Sequence, residues 1–343
     1  MTTRNRQWLL ARRPGAQISE QDFELCESDV PKPRDGEMLV RTLWLSFDPT
    51  QRGWMSMDTY VPMIPLGEPM RAIGVGQVVE SRREGFEKGD LLQGMLAWAD
   101  FVIVGDGSLM PPTKLPPGTP PNLALGLFGG TGMTAYFGTL DVGQPKAGET
   151  FVVSGAAGAT GSVAGQIARI QGCRVIGIAG GREKCAWLTG EAGFDAAIDY
   201  KAEDVPAALD RLCAKGIDVY FDNVGGAILD AVLARLAHRA RVVLCGAISR
   251  YGEMGRASEG LGPGPANYFN LVLTHGRMEG FLVLDYLARF PEAFERLATW
   301  YGEGRIKHRD DVQEGLENAP RTLIRLFTGA NFGKQLLRIA DPS

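Results

Sequence analysis

The chain has 343 residues and a formal net charge of −4 at pH 7, so it lacks the basic excess that nucleic-acid or membrane-surface binding requires. Because this length is more than one small core organises, we expect two domains. Glycine contributes 45 residues, about twice its usual share, which indicates an α/β protein with many tight turns.

The first residues carry arginines around a short apolar run, Trp8 to Ala11, but lack the apolar core and cleavage site of a signal peptide. No run of about 18 apolar residues occurs in the sequence, so no transmembrane helix is expected. We therefore predict a cytoplasmic protein without a membrane partner. The cysteines and histidines lack the spacing of a metal site, and we expect reduced thiols and no metal. They are Cys26, Cys173, Cys185, Cys213, Cys245, His238, His275 and His308.

The first part of the chain predicts an antiparallel barrel. Short apolar strands separated by Gly and Pro lie at residues 38–43, 74–79 and 101–104. The proline-rich stretch from Met110 to Pro121 continues neither sheet nor helix. We therefore place the first domain boundary after residue 125.

Strands and helices alternate beyond this boundary. The predicted strands are residues 150–154, 174–179, 197–200, 218–222 and 241–245, and the predicted helices are residues 160–171, 183–192 and 228–236. Such apolar strands predict a doubly wound Rossmann sheet, parallel and covered on both faces. A strand at residues 333–339 is expected to rejoin the first domain. The predicted domains are residues 1–125 with 300–343, and residues 126–299, and the Gly- and Pro-rich loop at residues 252–265 is typical of a lid.

The most informative segment is a glycine-spaced turn between the strand at residues 150–154 and the next helix. Gly155 permits a sharp exit from the strand, Gly158 lets backbone approach a pyrophosphate, and Gly161 lets the helix pack closely on the sheet. The amides that open the helix then face the phosphates. An ordinary tight turn is the alternative, but a second strand follows, and the pattern favours a dinucleotide. The predicted contacts are Gly155, Ala156, Ala157, Gly158, Ala159, Thr160 and Gly161.

The end of the second strand favours NADP(H) over NAD. An NAD site has a carboxylate there, about 20 residues past the glycines, for the ribose hydroxyls. In this chain Gly180 and Gly181 leave room for a 2′-phosphate, and Arg182 or Lys184 supplies positive charge. Two alternatives remain, because Glu183 could take the hydroxyls instead and Lys184 could be a solvated residue at the start of a helix.

Two further turns follow strand ends, at the edge of an open parallel sheet where ligands bind. The first contains Asn223 before Gly225 and Gly226, and Asn223 either hydrogen-bonds the cofactor or only forms the turn. The second turn also lines the predicted cofactor cleft, and we assign Tyr251 to the same cleft. Its residues are Cys245, Gly246, Ala247, Ile248 and Ser249.

Seven segments together form a recognisable pattern: residues 45–49, 67–71, 154–166, 220–226, 245–249, 277–281 and 331–334. The pattern resembles the prostaglandin reductase/leukotriene dehydrogenase family of zinc-free medium-chain dehydrogenase/reductases, which includes bacterial curcumin reductases and plant double-bond reductases. The resemblance covers nearly the whole chain. It implies a GroES-like β-barrel catalytic domain, a Rossmann domain and a homodimer.

The same resemblance implies a reaction and site residues. The reaction is metal-free, NADPH-dependent reduction of the C=C bond of α,β-unsaturated ketones or aldehydes, with hydride transfer to the β-carbon. By motif match, Lys184 and Tyr200 hold the 2′-phosphate. The other residues implied to contact the cofactor are Asn223, Phe281, Leu282, Val283 and Asn331. Zinc-dependent relatives need Cys and His ligands in the first domain, and the first 125 residues of this chain contain only Cys26.

The sequence departs from the family where the chemistry is expected. Many members have Asp-Pro-Tyr-Met-Arg where this chain has Asp48-Pro49-Thr50-Gln51-Arg52, and Leu273 replaces a tyrosine of animal and plant members. Enone reduction needs a hydrogen-bond donor to the carbonyl oxygen. Bacterial members carry segments matched here by Thr59-Tyr60-Val61-Pro62 and Asn267-Tyr268, so Tyr60 is our first candidate and Tyr268 our second, with the cofactor's ribose hydroxyl as a third donor.

Each tyrosine could instead form an aromatic wall of an apolar pocket. The residues around Tyr60 could line that pocket or belong to the core, and they are Trp54, Met55, Met57 and Met63. Two other functions also fit the sequence. An NADPH quinone reductase of the same superfamily would turn over a quinone but not an enal, and a non-catalytic NADPH-binding redox sensor would bind NADPH without oxidising it.

Overall fold

The computed structural model describes residues 4–253 and 264–342. These residues form two compact units. The barrel unit contains residues 4–126, 251–253 and 310–342, and the sheet unit contains residues 127–250 and 264–309. Most of the loop predicted to be a lid lies outside the described residues. The domain boundaries predicted from the sequence remain predictions.

The strands follow the chain as β1 (Arg4–Leu10), β2 (Phe23–Asp29), β3 (Met38–Ser46), β4 (Arg71–Ser81), β5 (Leu91–Ala97), β6 (Phe101–Val104), β7 (Thr113–Lys114), β8 (Thr150–Ser154), β9 (Arg174–Ala179), β10 (Ala196–Asp199), β11 (Ile217–Asp222), β12 (Leu236–Leu244), β13 (Arg277–Gly280), β14 (Asp310–Glu314) and β15 (Lys334–Arg338). The α-helices are α1 (Gln51–Trp54), α2 (Pro121–Leu125), α3 (Gly130–Phe137), α4 (Ala159–Ile170), α5 (Arg182–Gly190), α6 (Val205–Leu212), α7 (Gly226–Leu233), α8 (Asn270–Thr274), α9 (Phe290–Gly302) and α10 (Ala319–Thr328). Short 3₁₀ turns occupy Glu20–Asp22, Ile248–Glu253, Val283–Arg289 and Leu316–Asn318, and a π-helical turn occupies Gly138–Gly143.

The barrel unit is built around β3, which pairs antiparallel with β4, β6 and β15, while β4 pairs with β5. Burial alternates along β5, where Leu92 and Leu96 are buried between half-buried neighbours, as expected for a strand with one face on the core. Trp98 fills this core, with ring centroids 5.4 Å from Phe23 and 5.0 Å from Phe47. The predicted antiparallel barrel is confirmed.

The sheet unit contains a parallel sheet with strand order β10-β9-β8-β11-β12-β13. Counted from β8 as the first strand, this is the order 3-2-1-4-5-6 of the dinucleotide-binding fold. Nearly every residue of β8 and β9 is buried, as expected for strands covered on both faces. The predicted Rossmann architecture is confirmed.

The predicted end of one helix, at residue 236, and the predicted start of the next strand, at residue 241, are both wrong. The helix predicted at residues 228–236 ends at Leu233, and β12 already begins at Leu236. Leu236 continues the helical spacing of the apolar residues before it, but it pairs with Ile217 of β11. Sheet pairing therefore overrides the helical pattern, and the strand then passes through Arg239 at a positive φ of 60°.

Candidate functional site

The predicted cofactor residues follow the carboxyl ends of the strands in the sheet unit. Because all strands of this sheet are parallel, their carboxyl ends meet at one edge, where open α/β sheets bind ligands. The first residues beyond these ends are Gly155, Gly180, Tyr200, Asn223, Cys245 and Phe281. The fold thus brings together six positions that the sequence analysis selected.

The glycine-spaced turn joins β8 to α4. Gly155 has a φ of 59°, in the left-handed region that favours glycine. A Cβ at Gly161 would lie 2.4 Å from the carbonyl oxygen of Gly155, so only glycine lets α4 approach the turn this closely. Gly158 caps the helix, whose first amides lack intrahelical acceptors. Ala156, Ala157, Ala159 and Thr160 complete a turn that presents backbone donors without a charged side chain.

Asn223 ties the end of β11 to the end of β8. Its side-chain amide donates to the carbonyl oxygen of Ser154 at 2.7 Å, and its backbone N–H donates to the Ser154 hydroxyl at 2.9 Å. The predicted turn-forming role of Asn223 is therefore visible in the structure. Its contact with the cofactor remains a prediction.

The Asp222 carboxylate accepts the hydrogen bonds that hold this turn. Its Oδ1 accepts hydrogen bonds from the hydroxyls of Ser154 and Tyr220 and from the amides of Val224 and Gly225, at 2.8 to 2.9 Å. Its Oδ2 is buried and finds no hydrogen-bond partner within the described ranges. Burial raises the pKa of Tyr220 well above its usual value, and the Asp222 charge adds to this effect. Tyr220 is therefore a neutral donor that holds the carboxylate in place.

The end of β9 carries two glycines and no acid. A Cβ at Gly180 would lie 2.8 Å from the ring of Tyr200, so glycine allows the half-exposed Tyr200 ring to cover this turn. Gly181 has a φ of 101° and donates to Asp199 at 2.8 Å. Arg182 and Lys184 stand in the first turn of α5, Arg182 exposed and Lys184 half-buried. A positively charged helix start therefore lies beside Tyr200.

Glu183, the alternative ligand for the ribose hydroxyls, lies 3.7 Å from Arg309 and is 81% exposed. Its carboxylate thus lies in water beside a cation. The geometry at the end of β9 therefore gives no support to a carboxylate clamp on the ribose.

The turn after β12 is held by the backbone of the turn after β11. The amides of Cys245 and Gly246 donate to the carbonyl oxygen of Asp222, and those of Ile248 and Ser249 donate to Asn223 and Val224. Burial raises the pKa of Cys245 to about 12, and the Asp222 charge adds to this shift. Cys245 is therefore a neutral thiol. Ala247 completes this turn.

The last predicted cofactor contacts divide between the two units. After β13, the Phe281 ring packs in the space left by Gly138, where a Cβ would lie 2.5 Å from the ring. Leu282 is exposed and Val283 half-buried, and both lie in the sheet unit. Tyr251 and Asn331 belong to the barrel unit, where the Asn331 amide donates to the carbonyl oxygen of Gly333 at 3.3 Å.

These turns fit a dinucleotide with an additional phosphate. In the cradle at Gly155, Gly158 and Gly161, a side chain would clash at Gly161, be strained at Gly155 and be tight at Gly158, so the turn keeps the space that close approach of a pyrophosphate requires. The neighbouring turn replaces the acidic clamp of an NAD site with glycines and two cations. The contacts themselves remain predictions.

The barrel unit carries a pair of hydroxyl groups around Tyr60. The hydroxyl oxygens of Tyr60 and Thr50 are 2.8 Å apart, and the Tyr60 ring meets the Trp54 ring edge-on with centroids 6.4 Å apart. Although the Tyr60 side chain is 44% exposed, partial desolvation of its hydroxyl raises its pKa, the Thr50 and Trp54 hydrogen bonds partly oppose this, and the Asp48 charge raises the pKa further. Tyr60 therefore carries its proton at neutral pH, as a hydrogen-bond donor must.

An ion pair with a buried lysine lies in the segment that precedes Thr50. Lys334 is 1% exposed and its Nζ lies 2.5 Å from Oδ1 of Asp48. The same Nζ donates to the carbonyl oxygen of Phe47 at 3.3 Å, and Oδ2 of Asp48 accepts from the Ser46 hydroxyl at 2.5 Å. Sequence reasoning missed Lys334, although a lysine that begins an apolar strand is a signal that could have found it.

Comparison with known proteins places the chain in a family. A model described as the N-terminal domain of oxidoreductase matches residues 6–111, and one described as zinc-binding dehydrogenase matches residues 159–299. NADPH-dependent curcumin reductase of Escherichia coli is 43% identical, covering 98% of this chain and 97% of that protein. The chain belongs to the medium-chain dehydrogenase/reductase family.

Other members of the family are similar over almost the same length. The NADP(+)-dependent 2-alkenal reductase of Nicotiana tabacum is 38% identical over 98% of both chains, and mouse prostaglandin reductase 1 is 37% identical over 96% of this chain and 98% of that one. The crystal structure of CurA from Vibrio vulnificus in complex with NADPH is 41% identical, covers 98% of this chain and 100% of that one, and superposes with a TM-score of 0.91. The predicted prostaglandin reductase branch and GroES-like barrel are confirmed.

Tyr268, the second candidate for the hydrogen-bond donor to the carbonyl oxygen, lies in the sheet unit and is 60% exposed. Its neighbour Asn267 is fixed by hydrogen bonds to Asp230, at 3.2 Å from the backbone amide and 2.9 Å from the side chain. Trp54 and Met55 belong to the barrel core, whereas Met57 is exposed and Met63 half-buried. Trp54 and Met55 thus follow the core alternative for these residues.

Among the described residues, no cluster of three or more His, Cys, Asp or Glu side chains has the arrangement of a metal site. The cysteines of the described residues are free thiols. No helix in the described ranges is long and apolar enough to cross a membrane. The cytoplasmic location remains a prediction.

Proposed function

We propose that this protein is an NADPH-dependent reductase of the C=C bond of α,β-unsaturated ketones and aldehydes. The observation that carries this proposal is the full-length similarity to a 2-alkenal reductase and a curcumin reductase. A 2-alkenal is an aldehyde whose carbonyl is conjugated with a C=C bond. The cofactor is NADP(H), in keeping with the NADPH complex of CurA and with the glycines and cations after β9.

Under this proposal the sheet unit binds and orients the cofactor. The amides that open α4 bind the pyrophosphate, while Arg182, Lys184 and Tyr200 hold the 2′-phosphate. Asn223 and the turn after β12 line the same edge. When bound, NADPH supplies the hydride that the β-carbon of the substrate receives.

The barrel unit then serves as the catalytic domain. Hydride addition at the β-carbon breaks the C=C π bond and places negative charge on the carbonyl oxygen of the resulting enolate, which then takes a proton from water at the α-carbon. A donor positioned at that oxygen stabilises the charge and typically contributes on the order of 100- to 1000-fold in rate. Tyr60 is the donor in this proposal, because its hydroxyl carries a proton at neutral pH and is held by Thr50.

A substrate panel tests the function. Steady-state oxidation of NADPH and of NADH is measured with enals, enones, quinones and alcohols. The proposal expects turnover of enals or enones with NADPH preferred. Turnover of quinones alone would identify a quinone reductase, and NADPH binding without turnover of any compound would identify a redox sensor.

The cofactor preference yields a prediction at Lys184. Replacing Lys184 with Ala removes a charge-assisted contact to the 2′-phosphate, so the KM for NADPH is expected to rise about 10- to 100-fold. The KM for NADH, which lacks that phosphate, should change little. Lys215→Ala is the matched control, since Lys215 is exposed just before β11 begins, at the opposite edge of the sheet. Equal effects on both cofactors at Lys184 would contradict the assignment.

We also propose that the reaction needs no zinc. The first 125 residues contain Cys26 as their only cysteine and no histidine, so this region lacks the set of Cys and His ligands that zinc-dependent relatives use. Exhaustive chelation should leave kcat unchanged, with no stoichiometric zinc by elemental analysis. One zinc per chain, with activity lost on its removal, would refute metal independence.

We propose a homodimer as the assembly. Strand β13 ends the sheet order of the sheet unit, and the segment just before it exposes Phe269, Val272 and Leu273 by 58% to 66%. A strand edge that has no partner within residues 4–253 and 264–342, and that lies beside apolar side chains, favours pairing with another chain. Light scattering should give twice the chain mass of 37.1 kDa, and a monomer mass at assay concentration would contradict the proposal.

A further inference from the structure

The hydroxyl groups of Thr50 and Tyr60 share one hydrogen bond, and its direction decides where the Tyr60 proton points. We propose that Thr50 is a positioning residue whose hydroxyl donates to the Tyr60 oxygen, so that the Tyr60 proton is free for the carbonyl oxygen of the substrate. This inference rests on the proposed donor role of Tyr60. The 2.8 Å separation of the two oxygens fits one hydrogen bond, which either hydroxyl is able to donate.

The surroundings of the pair favour donation from Thr50. The carboxylate of Asp48, whose charge acts on Tyr60, is already engaged by Lys334 and by the Ser46 hydroxyl, and Oδ1 of Asp58 accepts from the Met63 amide. The indole N–H of Trp54, which is 4% exposed beside the Tyr60 ring, is a donor only, and like the Thr50 hydroxyl it acts on the Tyr60 oxygen as a donor, which lowers the pKa of Tyr60. The Tyr60 side chain is 44% exposed, and its oxygen lies beside two donors, the Thr50 hydroxyl and the Trp54 indole N–H. An oxygen in such surroundings is best placed to accept, and its own proton then points elsewhere.

Thr50 itself is held in place by the turn that precedes α1. The backbone amide of Gln51 donates to the carbonyl oxygen of Asp48 at 3.0 Å. The fully buried Gln51 side-chain amide donates to the carbonyl oxygens of Ser46 at 3.2 Å and Arg71 at 3.1 Å. With Lys334 bonded to the carbonyl oxygen of Phe47, the turn is fixed on both sides. A hydroxyl on such a turn orients its partner at little entropic cost.

Position 50 is also a point of difference from the family pattern. Many members carry tyrosine in the Asp-Pro-Tyr-Met-Arg segment, whereas this chain has Thr50. Threonine is too short to reach as far as tyrosine does, but its hydroxyl reaches the Tyr60 oxygen. The geometry therefore favours Tyr60 as the hydrogen-bond donor to the substrate and Thr50 as the residue that orients the Tyr60 hydroxyl.

Two substitutions at Thr50 separate the hydroxyl from the side-chain shape. Thr50→Val keeps the branched shape and removes the hydroxyl, and we expect kcat to fall about 10-fold, the effect of one hydrogen bond. Thr50→Ser keeps the hydroxyl and should stay within about threefold of the wild type. The KM for NADPH should not change in either variant. In a Tyr60→Phe background, Thr50→Val should have no further effect, because the partner hydroxyl is already absent.

A spectroscopic measurement does not depend on turnover. An enone labelled with ¹³C at the carbonyl is bound together with NADP⁺, which gives a complex that does not react, and its C=O stretch is recorded by difference infrared spectroscopy. A hydrogen bond from Tyr60 lowers this frequency. Tyr60→Phe should remove the shift, Thr50→Val should reduce it, and Thr50→Ser should preserve it.

The outcomes distinguish this inference from the proposed function. If Tyr60→Phe retains wild-type kcat and C=O frequency, the donor role of Tyr60 fails and the Thr50 inference fails with it. If Tyr60→Phe is impaired but Thr50→Val behaves like the wild type, only the Thr50 inference is overturned. A loss in Thr50→Val that persists in the Tyr60→Phe background would also overturn it, since Thr50 would then act independently of Tyr60.

Discussion

Replacing Tyr60 with Phe is expected to lower kcat and kcat/KM together, by on the order of 100-fold. Both constants fall because the hydrogen bond to the carbonyl oxygen strengthens as negative charge develops, so its loss is felt mainly in the transition state. Phe preserves the ring that packs against Trp54, so the folded structure should be retained. Steady-state kinetics with an enone and saturating NADPH measure the effect.

Two further variants separate a donor from an aromatic wall. If Tyr60 only forms an apolar wall, Phe would leave kcat nearly unchanged and Ala would raise the KM for the enone. Tyr268→Phe provides the matched comparison, since Tyr268 is the second candidate and is 60% exposed. A wild-type kcat for Tyr60→Phe, with NADPH binding also unchanged, would pass the donor role to Tyr268 or to the ribose hydroxyl.

The pH dependence of kcat adds an independent check. Burial of its hydroxyl and, to a smaller extent, the Asp48 charge raise the pKa of Tyr60 above its usual value near 10. The donor form is the protonated one, so it persists at every pH below this raised pKa. Ionisation of Tyr60 should therefore cause no loss of kcat up to about pH 10. A decline near neutral pH that Tyr60→Phe abolishes would contradict this assignment.

The candidate cofactor site at the carboxyl ends of the parallel strands could be predicted because its sequence signals are local. Strands β8 and β9 are apolar along nearly their whole length, and the glycines at positions 155, 158 and 161 stand directly after the first of them. Each constraint acts within a few residues: the left-handed φ at Gly155 and the close approach at Gly161. Parallel strands then bring the separate turns to one edge without any need to predict side-chain contacts.

Elements that depend on distant partners were not predictable in the same way. Strand β1 begins Arg-Asn-Arg, a poor strand pattern, but Arg4 pairs with Asp29 at 2.5 Å and Arg6 with Asp100 at 2.9 Å. The pairing of Lys334 with Asp48 joins residues 286 positions apart. A lysine in sequence is normally exposed, and although the position of Lys334 at the start of an apolar strand indicates burial, only the folded barrel shows that Asp48 is its partner.

Replacing Lys334 is the second change with a large expected effect, and it should lower the free energy of unfolding rather than the catalytic rate. Lys334→Met removes the ammonium group but keeps an unbranched side chain of similar length. The Asp48 carboxylate, whose side chain is 24% exposed, then loses its partner ion, and the carbonyl oxygen of Phe47 loses a donor. Breaking a buried ion pair from one side costs about 3 kcal/mol or more of the free energy of unfolding, so the urea midpoint should fall clearly.

Arg338→Met is the matched control on the same strand. Arg338 pairs with Glu314 at 2.9 Å, but the two side chains are 41% and 67% exposed, and exposed pairs contribute less than about 1 kcal/mol. The double variant Lys334→Met with Asp48→Asn should recover part of the loss, because the amide carries no unpaired charge. If Lys334→Met is no more destabilising than Arg338→Met, or if the double variant is less stable than Lys334→Met alone, the buried pair does not hold the turn that carries Thr50.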